Sequence, residues 1–115
     1  MGSIRYDGMV THFEDRLLTH LQIVIVQKLS RGESFLMSWK DSSTMGDGRS
    51  AIWLNPQTPL SFKFAGSRVP EINRDWLLTL GKSVESSTGL IVTKEDGSLA
   101  EADATGPKYP GNLRA

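Results

Sequence analysis

The chain contains no cysteine, which removes disulfides, thiolate catalysis and cysteine-based metal sites together and agrees with a reducing compartment. Only two histidines are present, His12 and His20, and their separation across a strand-to-helix junction is not a metal-ligand spacing. Net charge is missing too. Thirteen basic residues cancel thirteen acidic ones, so no global field steers the molecule toward nucleic acid, an anionic membrane or an acidic substrate, and only a local basic patch remains open. No apolar run approaches the length of a membrane span, and Met1-Gly2-Ser3-Ile4-Arg5-Tyr6 lacks the basic start and apolar stretch of a signal peptide. We therefore expect a cytoplasmic protein with no membrane partner. Hydroxyls are plentiful, but no Gly-x-Ser-x-Gly or other activating neighbourhood surrounds one. No catalytic residue, metal or cofactor is expected from these residues.

What is present suffices for one core. Of 115 residues 38% are apolar, including three Trp, four Phe and two Tyr, which suits a single domain of modest stability. Asp7-Gly8 between Ile4–Tyr6 and Met9–Phe13 predicts an N-terminal hairpin, because both central residues of a type I′ turn need positive φ. A helix over 14–31 follows: Glu14 and Asp15 suit its positive end, Lys28 and Arg31 its negative end, and Gly32 its exit. Thr11 with Glu14 offers an alternative capping box. Leu17, Leu18, Leu21, Val24, Ile25 and Leu29 form the inward stripe, while Ile23 and Val26 extend it and predict cover on more than one side. The β-branched run 23–26 favours a strand on propensity alone, but the stripe and end signals span a longer window.

Three strand-like runs, 34–40, 50–54 and 59–64, suggest a meander. Phe35, Met37 and Trp39 share one face of the first, and Leu60, Phe62 and Phe64 one face of the last. Asn73 caps a second helix with Trp76, Leu77, Leu80 and Val84 inward, and residues 90–93 supply a final short strand. The expectation is a single α+β domain over 1–93 with the order ββ-α-βββ-α-β. Residues 94–115, rich in Glu, Asp, Ala, Gly and Pro, read as a flexible tail.

The run from Leu21 to Phe35, together with Gly46-Asp47-Gly48-Arg49, Ile52-Trp53-Leu54-Asn55-Pro56, Phe62-Lys63-Phe64 and Asn73-Arg74-Asp75-Trp76, resembles a family of short actinobacterial proteins of unknown function. Its members often carry the automatic label "ATP-dependent DNA ligase". The resemblance covers roughly residues 1–93 and implies an association with DNA processing, without transferring catalytic residues.

Lys94-Glu95-Asp96-Gly97 matches the Lys-x-Asp-Gly pattern of covalent nucleotidyltransferases, in which the lysine attacks the α-phosphate of ATP. That chemistry also needs a purine pocket, further cations and metal-binding carboxylates beyond the motif. Eighteen residues follow Gly97, so an intact ligase does not fit and enzymatic adenylyl transfer is the least favoured reading. Gly46-Asp47-Gly48-Arg49 is the best small anion site, with backbone N–H groups and a bidentate guanidinium, although the same residues also suit an ordinary hairpin connection. Lys40, Gly46, Gly48, Arg49, Lys63 and Arg68, interleaved with Trp39 and Trp53, are the candidate nucleic-acid contacts. Alternation places Trp39 in the core and Lys40 and Lys63 on the wet face. The leading function is a small non-catalytic binding or accessory module associated with DNA processing. Its rival is a homo-oligomeric interaction protein, a homodimer joined through Ile23 and Val26.

Overall fold

In the computed structural model, which describes residues 1–106, Asp7 and Gly8 both take positive φ, 51° and 81°. They close a two-residue turn between β1 (Gly2–Tyr6) and β2 (Met9–Phe13), as the twist of a tight hairpin requires. The chain then enters α1 (Asp15–Ser30). Glu14 stands at its N-cap without a side-chain cap bond, and Thr11 lies in β2, so no capping box forms. Asp15 instead accepts the backbone N–H groups of Ala65 and Gly66 at 3.0 and 2.8 Å, tying a distant loop to the helix start. Within the β-branched run, Val24 and Ile25 are buried while Ile23 and Val26 are exposed. Two in and two out is helical periodicity; a strand would alternate. The cover expected on a second side of α1 is therefore absent among the described residues, where Ile23 and Val26 stand 38% and 48% exposed.

β3 (Phe35–Asp41) and β4 (Arg49–Leu54) pair antiparallel, Lys40 opposite Arg49 and Leu36 opposite Trp53. The next strand corrects the meander. β5 (Leu60–Lys63) leaves β4 and pairs antiparallel with β1 at the opposite edge of the sheet. Two local features carry the chain across. The Asn55 side chain accepts from the N–H groups of Gln57 and Thr58, making a tight turn, and the Tyr6 hydroxyl on β1 donates to the Trp53 carbonyl at 2.7 Å and accepts from the Asn55 N–H at 3.1 Å. Leu60 and Phe62 then lie opposite Tyr6 and Ile4, where they extend the apolar face that β1 began.

Asn73 caps α2 (Arg74–Glu85) by accepting the Trp76 N–H at 3.1 Å, and Gly89, at φ 80°, turns the chain into β6 (Leu90–Ile91) alongside β3. The element order and the α+β class match the sequence expectation, but the tail does not begin at residue 94. Residues 94–98 form a turn closed by the Lys94 N–H on the Ser98 carbonyl and the Gly97 N–H on the Lys94 carbonyl. β7 (Glu101–Thr105) follows, parallel to β3 and antiparallel to β2, in the interior of the order β4-β3-β7-β2-β1-β5. Ala100, Ala102 and Ala104 alternate with acidic residues, a period-two pattern whose small apolar members fill an interior position without raising local hydropathy. The rest of the expected tail, 107–115, lies outside the described residues.

One face of the sheet carries Ile4, Phe13, Met37, Trp39, Leu54 and Leu90 against the stripes of α1 and α2 in a single core. Each such side chain contributes about 1.5–3 kcal/mol when fully buried. Trp39 is 2% exposed and meets the Phe13 ring edge-on at 6.1 Å, as alternation required. Among the described residues no helix is long and apolar enough to cross a membrane.

Candidate functional site

Cross-strand register fixes what the other face displays, because directly opposed residues point to the same side. Arg49, Ala51 and Trp53 on β4 therefore lie beside Lys40, Ser38 and Leu36 on β3, with Glu101 next to Lys40 on β7 and Asp103 next to His12 farther along. Trp53 is 59% exposed and Leu36 37%. A tryptophan this open is not a core side chain; its covered part borders a hollow shared with Leu36 and with Glu85, Ser86 and Gly89 at the exit of α2. Arg49 lies four residues away on the same strand and face, about 13 Å along an extended chain. The carboxylates of Glu101 and Asp103 confine the cationic part of this face to β3 and β4.

The connection between those strands spans residues 42–48 and begins with a 3-10 turn over Ser43–Met45. Gly46 at φ 100° and Asp47 at φ 60° complete it. As an anion nest it is partly spent: the Gly46 N–H donates to the Ser43 carbonyl and the Asp47 N–H to the Ser42 carbonyl. Ser42 also donates to the Asp103 carboxylate, and Ser50 to Asp41 at 2.8 Å, so acceptor groups surround the loop base. Lys40 lies 4.0 Å from Asp47, which leaves Arg49 as the less engaged cation.

The six candidate contacts do not form one cluster. Lys40, Gly46, Gly48 and Arg49 gather at one end of the β3–β4 hairpin; Lys63 sits on β5, paired with β1, and Arg68 in the following loop, and no strand pairing joins the two groups. Ile23 and Val26 lie on the outer side of α1, where Val26, Leu29, Leu60 and Phe62 line a shallow groove beside the β5 edge.

A second constellation was invisible in the sequence. Arg16 on α1 grips Glu95 with two N–H groups, at 2.9 and 2.6 Å, and gives a third to the Glu71 carbonyl at 2.6 Å. Asn73 donates its amide to the same Glu95 at 2.9 Å. These bonds, led by Arg16, hold the Glu95 carboxyl down at about 2, and Glu95 raises Arg16 in return. Beneath them His20 is fully buried: Nε2 accepts the Asn73 N–H at 2.9 Å, so Nδ1 carries the proton donated to the Arg16 carbonyl at 2.7 Å. Its ring stacks on Trp76 at 4.4 Å, and the Trp76 indole donates to the Thr93 carbonyl. The Lys94-to-Gly97 segment is thus a turn clamped onto the helices, with Asp96 lowered by bonds from Ser98. A cavity of about 320 Å³ beside it is lined by Glu14, Arg16, Trp76, Lys94 and Glu101 among others. Its best donor and acceptor are already paired with each other. Among the described residues no group of three His, Asp or Glu could hold a metal ion.

Residues 1–95 match a domain of unknown function, DUF7882. The chain belongs to this family. No curated protein and no solved structure matches it. The DUF7882 match thus takes in both helices and the clamp from Arg16 to Glu95, and ends before β7, the strand that pairs with both β2 and β3.

Proposed function

We propose that this DUF7882 domain is a non-catalytic binding module that engages single-stranded nucleic acid on the uncovered face of β3 and β4. The observation that carries the reading is Trp53, 59% exposed on the face opposite the helices, with Arg49 on the same strand and Lys40 beside it. An open aromatic ring stacks on any base, and neighbouring cations hold the phosphates. The resemblance to proteins labelled as DNA ligases agrees with an accessory role in DNA processing. Lys63 and Arg68 stand apart from this site and would at most contact a strand that runs on across the molecule.

The test is titration of the protein with a mixed single-stranded oligonucleotide pool at low and moderate salt, read by anisotropy. Binding should weaken as salt rises, because phosphate contacts release counterions. It should fall at least several-fold in Trp53→Ala and Arg49→Ala. Absence of salt-sensitive binding, or binding indifferent to both changes, would remove nucleic acid as the ligand. A second reading, self-association through α1, is favoured by the exposure of Ile23 and Val26. Val26→Asp should then lower the solution mass.

A further inference from the structure

The two edges of the sheet are not alike. β5 is four residues long, follows Pro59 and carries Lys63, the kinds of device that keep an edge strand from pairing with a neighbour. β4 is six residues long and contains no proline. Its hydrogen-bonding groups divide cleanly. The Asp41 N–H donates to the Gly48 carbonyl, so residues 48, 50, 52 and 54 direct their backbone groups toward β3. Ser38 and Lys40 use theirs on the other side of β3, with Val92 and Ala100. Arg49, Ala51 and Trp53 consequently aim their N–H and C=O groups out of the sheet, and Tyr6 confirms that direction by reaching the Trp53 carbonyl from outside. Among the described residues no strand pairs with this side.

We infer that the β4 edge is the docking surface for a second copy of this chain, paired antiparallel about a two-fold axis through Ala51. The outward groups admit this register because hydrogen-bonded pairs need both members facing out. Ala51 then opposes Ala51 of the second copy and exchanges both bonds with it, and each Trp53 N–H donates to the Arg49 carbonyl across the axis. Only the Trp53 carbonyl is already engaged, by Tyr6 at the end of the ladder. The same register sets each Arg49 side chain directly opposite Trp53 of the second copy, on the same face, a guanidinium against an exposed indole. Self-complementarity of both backbone and side chains about one axis is what an isologous interface demands. Alanine at the axis lets the two strands approach without a clash. This contact does not involve the α1 surface; it shares Arg49 and Trp53 with the face proposed for nucleic acid, and its backbone ladder is what sets it apart.

The test is solution mass by light scattering over a concentration series, without nucleic acid. The wild type should approach twice the 12.7 kDa chain mass as concentration rises. Ala51→Glu and Ala51→Lys should each be monomeric at those concentrations, since like charges meet at the axis, and an equimolar mixture should recover the dimer. Ala51→Pro serves as a second variant: the Ala51 N–H faces outward, so its loss breaks no bond within the chain. Circular dichroism melts check that the variants fold. A wild type that stays monomeric, a dimer that survives Ala51→Glu and Ala51→Pro, or charge variants that fail to recombine would each overturn the proposal. A dimer lost in Val26→Asp and retained in the Ala51 variants would also overturn it, and move the contact to α1.

Discussion

Two parts of the molecule use the same residue types for opposite ends. Where α1, α2 and the turn at residues 94–98 meet, Arg16, His20, Asn73, Trp76 and Glu95 all find partners within the chain. On the open face of β3 and β4, Arg49 and Trp53 have no side-chain partner among the described hydrogen bonds and ion pairs. An arginine and a tryptophan satisfied internally are instruments of folding; the same pair left open is available for contact. The contrast is strongest between Trp76, 6% exposed and hydrogen-bonded, and Trp53, 59% exposed.

The largest effect is expected from Trp76→Ala. It removes a large buried ring, its stack on His20 and its bond to Thr93, and should cost about 3–5 kcal/mol by urea denaturation. A loss under about 1 kcal/mol would mean that the junction is not a structural centre. Asn73→Ala is milder. It deletes the cap of α2 and one bond to Glu95, for an expected loss of about 1 kcal/mol.

The junction should also answer to acid. Glu95 has its pKa depressed from 4.5 to about 2 by Arg16 and then Asn73, so the folded state binds this proton less readily than the unfolded one. Its contribution is fully present above about pH 4.5 and disappears as pH falls through about 2. Stability measured across that window should therefore fall, and Glu95→Gln should flatten the decline. An unchanged acid limb in Glu95→Gln would show that the clamp adds nothing, as is common for exposed ion pairs. Lys28 offers the mirror case. Glu33 raises it, so its share is present below its ordinary 10.5 and is lost only at higher pH.

Local patterns were legible in the sequence, and pairings between distant segments were not. Asp7-Gly8, the α1 stripe and the Asn73 cap are decided by residues within a turn or two of each other, and all formed. The departure of β5 from β4 depends on Tyr6, some fifty residues earlier in the chain, whose hydroxyl holds the exit of β4. β7 escaped because alanine fills a tight interior position without a hydropathy signal. The Arg16–Glu95 clamp joins residues that no spacing rule connects. At the open face, alternation correctly separated buried Trp39 from Lys40, while the grouping of Lys63 and Arg68 with Arg49 rested on the meander and dissolved with it.

The smallest effect on folding falls where the largest effect on contact is expected. Trp53→Ala removes a side chain that is 59% exposed, opposite Leu36 and at the rim of a hollow beside the exit of α2, so the unfolding free energy should shift by no more than about 1 kcal/mol. Tyr6 bonds the backbone carbonyl of Trp53, not its ring, and the variant keeps that bond. If Trp53→Ala instead cost as much as Trp76→Ala, the open ring would belong to the fold and the face around it would lose its claim to be a contact surface. If it left stability intact while weakening oligonucleotide binding or self-association, the two tryptophans would divide folding from recognition. Ala51→Pro strikes the edge and spares the ring, so nucleic-acid binding retained in that variant while the dimer is lost would show that the nucleic-acid strand does not need the second copy to bind at Trp53.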